Sequence, residues 1–67
     1  MRVCNQNIRD LKELINQMIA LSEKGDAERE DTNCGVIYGI LRDSAFRLLK
    51  LAEDEERAHR AKGLWKD

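Results

Sequence analysis

Glu56 and His59 stand three residues apart in EDEERAHR, the Glu-x-x-His spacing with which helical bundles hold pairs of iron or manganese ions. Residues three apart on a helix share a face, so a carboxylate and an imidazole there can reach one ion. A working site also needs carboxylates from the facing helices at the same height. The same stretch reads more simply as a solvated, salt-bridged helix. Glu53 with Arg57, Glu55 with His59 and Glu56 with Arg60 all fall at i,i+4 with the acid first, worth about 0.3 kcal/mol each. A metal-binding bundle using Glu56 and His59 is therefore the second alternative and not the favoured reading.

Little else in the chain suits catalysis. His59 has no Ser, Cys or Asp near it in the pattern a nucleophile's base requires, and no glycine-rich phosphate loop occurs. Cys4 and Cys34 form neither a CxxC nor a zinc spacing, which in a reducing compartment points to two free thiols. The expectation is a protein that is not an enzyme and carries no cofactor.

Binding is better represented. The most apolar stretch, CGVIYGILRDSAF, carries Gly35 and Gly39, although an interior glycine costs a helix about 1 kcal/mol relative to alanine. At about 100° per residue both fall outside the main apolar arc of their helix, beside Arg42 and Phe46. That face is a candidate partner-binding notch, with Tyr38 and the tail residue Trp65 as further aromatic anchors. The competing reading is that Gly39 only clears a bulky side chain of a neighbouring helix.

These residues need elements to hold them, and the pattern is all-α. The 67 residues include no proline, one each of Trp, Tyr and Phe, and 37% charged residues, which favours long helices over a turn-rich sandwich. Ile8, Leu11, Leu14, Ile15, Met18, Ile19 and Leu21 recur at helical spacing. Asn7 and Asp10 suit a helix start, and Lys24 followed by Gly25 suits a stop. Helix 1 is expected over about 7–24. Residues 25–32 read as a polar connector in which a further turn or two of helix can form. Helix 2 follows over about 33–62, capped by Asp31, Thr32 or Asn33, and Lys62–Gly63 repeats the cation-glycine stop before a short tail, 63–67. The whole chain, 1–67, is one helical hairpin domain. With residue 34+k lying near 24−k, residues 56–59 would overhang the start of helix 1.

The apolar arcs span roughly 160° on helix 1 and roughly 180° on helix 2, wider than one neighbour can cover. An antiparallel two-helix hairpin that dimerises into a four-helix bundle buries both arcs, with Leu11, Ile15, Met18, Ile37, Leu41 and Leu48 in the dimer core. Twelve Lys and Arg against thirteen Asp and Glu give a net charge of −1, so no overall field draws the chain to nucleic acid or anionic lipid. Arg9 and Lys12, and Arg42, Arg47 and Lys50, are interleaved with acids. An RNA-binding four-helix bundle regulator is accordingly the first alternative. No stretch is apolar enough to span a membrane, and the N-terminus lacks a signal-peptide core, so the cytoplasm is the expected compartment. The expected partners are a second copy of the chain and another protein, for which the chain would act as adaptor or regulator.

Overall fold

The computed structural model describes residues 2–65 and is an antiparallel helical hairpin, α1 over Val3–Ala27 and α2 over Thr32–Ala61. It is a rod of 48 × 15 × 13 Å, two helices wide and one thick, with the helices in contact along their length. Positions 66 and 67 of the expected tail lie outside the described residues.

Both helices run close to where the periodicity puts them, and the differences have identifiable causes. Helix 1 is longer than 7–24 at each end. It begins at Val3, where the first backbone bond runs from the Gln6 N–H to the Arg2 carbonyl, because Asn5 and Ile8 are both drawn into the seam. Asp10 is left inside the helix, where it accepts from Gln6 at 3.1 Å. At the other end Gly25 does not stop the helix. It is buried within it, and the Tyr38 ring of α2 occupies the space a Cβ would need. Here the glycine permits close approach of two helices and leaves the turn to Glu28, whose N–H closes on the Lys24 carbonyl.

The connector is thereby shortened from the expected 25–32 to 28–31. Asp31 caps α2: its Oδ1 accepts from the Cys34 N–H at 2.8 Å. That bond holds the Asp31 carboxyl below its ordinary pKa, since it favours the charged form. At the far end Gly63 is the stop that the Lys-Gly pair announces. It takes a φ of 72°, with its N–H bonded to the Arg60 carbonyl and the Leu64 N–H to the His59 carbonyl, a Schellman arrangement. The chain doubles back there, and Trp65 is laid against the end of the seam.

The hydrophobic seam between the helices holds Ile8, Ile15, Ala45, Ala52 and Trp65, flanked by Leu11, Met18, Ile19 and Leu49. Small residues on α2 face large ones on α1, which lets the axes close up. Because α1 starts early and the connector is short, the register differs from the 34+k against 24−k expectation. His59 lies against Asn5 and Glu56 against Lys12, so EDEERAHR packs along α1 where an overhang was expected.

Candidate functional site

Two sides of the hairpin differ in character, and helical geometry separates them. On α1 the seam runs through Ile8, Ile15 and Ser22, with Leu11 and Met18 on one flank and Lys12 and Ile19 on the other. On α2 it runs through Tyr38, Ala45, Ala52 and His59, with Leu41 and Leu48 on one flank and Arg42, Leu49 and Glu56 on the other. Antiparallel helices facing one another present flanks of the same rotational sense on the same side. The Lys12–Glu56 pair at 3.5 Å marks one side, so Leu11, Met18, Leu41 and Leu48 belong to the opposite one.

That opposite side is the leucine face. Leu14 and Leu21 continue it outward on α1, and Ile37, Ile40 and Leu51 on α2. Their exposures are high for such residues: 62% for Ile37 and Ile40, 58% for Leu51, 52% for Leu14 and Leu21, and 36% for Leu48. From Leu11 to Leu21 and from Cys34 to Leu51 the positions of this stripe carry no charge; Ser44 is the polar member. A contiguous exposed apolar patch of this kind is the usual mark of an interaction surface. Of the residues expected in a dimer core, Leu11, Met18 and Leu41 are half-buried at its inner edge, Ile37 and Leu48 lie open on it, and Ile15 is fully buried within the hairpin.

The glycine side is the polar one. Gly39 faces open space and lines a shallow depression of about 230 Å³ with Ser22, Glu23, Asp26, Tyr38 and Arg42. The Arg42 guanidinium stands 6.0 Å from the centre of the Phe46 ring, which is about half exposed. Gly35 is further along, beneath the Arg29 side chain, while Tyr38 is half-buried on Gly25. Gly39, Arg42 and Phe46 are thus brought to one side of α2, with Tyr38 at its root. Trp65 is at the other end of the rod, only 7% exposed and packed within its own hairpin.

No protein-family model, curated protein or solved structure matches this chain significantly. His59 is half-buried between Asn5 and Glu55: its Nδ1 lies 2.6 Å from Asn5 Oδ1 and its Nε2 2.9 Å from Glu55. Asn5 is fully buried and its Nδ2 donates to the Leu64 carbonyl at 2.8 Å. A carbonyl can only accept, so this bond turns the amide oxygen toward His59, whose Nδ1 must donate. Glu56 is engaged by Lys12 and by Arg60 at 3.6 Å. Among the described residues no three His, Cys, Asp or Glu side chains converge on a point that could hold an ion. Glu56 thus reaches α1 through Lys12, and His59 through Asn5.

Arg9 and Arg60 flank the Trp65 ring at 6.0 and 5.1 Å from its centre. This clamp escaped sequence reasoning, although Gly63 signals the reversal that permits it. Nothing in a one-dimensional pattern pairs Asn5 with residues 59 and 64. Both cysteines are free, Cys4 exposed and Cys34 half-buried, near opposite ends of the rod. No helix among the described residues is long and apolar enough to cross a membrane.

Proposed function

We propose that the chain is a non-enzymatic helical interaction module of the cytoplasm, whose hairpins pair through the leucine face into a four-helix bundle and act as an adaptor or regulator toward another protein. The observation that carries this reading is the uncharged stripe of half-exposed leucines and isoleucines along one side of a rod one helix thick. A half-exposed Leu or Ile forgoes about 1 kcal/mol of burial, so six of them amount to roughly 6 kcal/mol per copy. That rivals the whole stability of a small domain. Pairing two copies recovers roughly 12 kcal/mol from these side chains, against an association cost of about 4–15 kcal/mol. At the lower end of that cost about 8 kcal/mol remains, which corresponds to a dimer in the micromolar range.

In such a bundle the side bearing Gly39, Arg42 and Phe46 stays outside on both copies and is free to meet the other protein. Sedimentation equilibrium from about 1 to 500 μM, the range set by that balance, is the test. The expected result is a concentration-dependent dimer. A monomer throughout, with a cooperative melt independent of concentration, refutes it.

A further inference from the structure

We infer that the occupant of the leucine face is a second copy of this chain laid end for end, so that each connector lies beside the open end of its partner. The inference rests on the dimer reading and specifies its geometry. Charge decides between the two ways a pair of hairpins can close. Residues 23–31 at the connector end hold five acids against two bases, a net −3, whereas residues 2–12 and 53–62 at the open end hold six bases against five acids, a net +1. Hairpins paired with their connectors at the same end would set −3 beside −3 at the rim of the interface. Reversing one copy sets −3 beside +1 at both ends, and like charges juxtaposed at an interface are what excludes wrong arrangements.

The apolar pattern permits that reversal with most of the overlap kept. The uncharged stripe from Leu11 to Leu21 is centred within one residue of the middle of Val3–Ala27, and that from Cys34 to Leu51 within about one helical turn of the middle of Thr32–Ala61. Turned end for end about that height, leucine still meets leucine. Residues 63–65 do not obstruct it. Trp65 sits between Arg9 and Arg60, both of which lie on the Lys12–Glu56 side of the seam, away from the leucine face.

The two native thiols supply the ruler. Cys4→Ser leaves Cys34 as the single site for a nitroxide label, and Cys34→Ser leaves Cys4; helical circular dichroism checks that each labelled chain folds. Because each thiol is about 11 to 13 residues from the centre of its helix, an end-for-end dimer places like labels about 33–38 Å apart along the rod at 1.5 Å per residue. Connectors at the same end would instead bring like labels within about 20 Å, the width of a bundle of helices each about 10 Å across. Pulsed dipolar spectroscopy above the dimerisation concentration is expected to give the long distance for both labels. A short distance for either label overturns the orientation while leaving the dimer standing. A monomeric mass by sedimentation for both labelled chains and for the unmodified chain overturns the dimer reading itself.

Discussion

Two glycines of this chain illustrate how one residue type answers to opposite demands. Gly39 has nothing where its Cβ would go, so Gly39→Ala is expected to raise stability by up to about 1 kcal/mol, the difference in helix propensity. Gly25 meets the Tyr38 ring, and Gly25→Ala is expected to destabilise by about 1–3 kcal/mol, the usual penalty for overfilling a packed site. Thermal melts of the two variants, which should move in opposite directions, check this. Asp31 carries a pH dependence of definite sign. Its carboxyl pKa is lowered in the folded chain by the Cys34 N–H, so the stabilisation is full above the ordinary aspartate range and fades as pH falls through the lower folded value. Between about pH 4 and pH 2 the melting temperature of the native chain should therefore drop more than that of Asp31→Asn, whose amide oxygen keeps the cap without titrating.

At the scale of elements, the end of the rod is fastened by a tail rather than by more helix. Gly63 reverses the chain, Leu64 offers its carbonyl to Asn5, and Trp65 covers the last of the seam. Asn5→Ala leaves that carbonyl and the His59 Nδ1 without their partner, at a cost of about 1–3 kcal/mol for buried polar groups. The tail should loosen with it. Trp65 is the chain's single tryptophan, so its fluorescence should shift to the red and become open to quenching in the variant before the helices melt. An unshifted spectrum would mean that Arg9 and Arg60 hold the ring unaided.

For the whole molecule, the thin rod makes burial a matter of partners. Leu48→Asp sets a charge on the leucine face, where in the proposed bundle it would be desolvated without a counterion. The dimer constant should weaken at least 100-fold while the helical hairpin persists in part. Glu53→Ala, on the other side of α2, should change it less than threefold, in line with the small worth of surface ion pairs. Sedimentation equilibrium of the two variants distinguishes them. Equal, small effects would show that the face is not the interface.

The apolar spacing from Ile8 to Leu21 and from Ile37 to Leu51, the Asp31 cap and the Lys62–Gly63 stop make the all-α hairpin legible in the sequence, because each is a local rule that acts within a few residues. The surplus of apolar arc over what one neighbour can cover is legible as well. Local rules failed at Gly25, where the same cation-glycine signal that ends α2 is overridden by a tyrosine ring of the facing helix, and at Asn5, whose role depends on residues 59 and 64. Tertiary structure alone decided those points. It also decided the register that brings Glu56 to Lys12, and which flank of each helix is left open as the leucine face. Register and rotation are set by how the two surfaces interlock, a sum over contacts between residues far apart in the chain, and periodicity within one helix carries no record of its neighbour's phase.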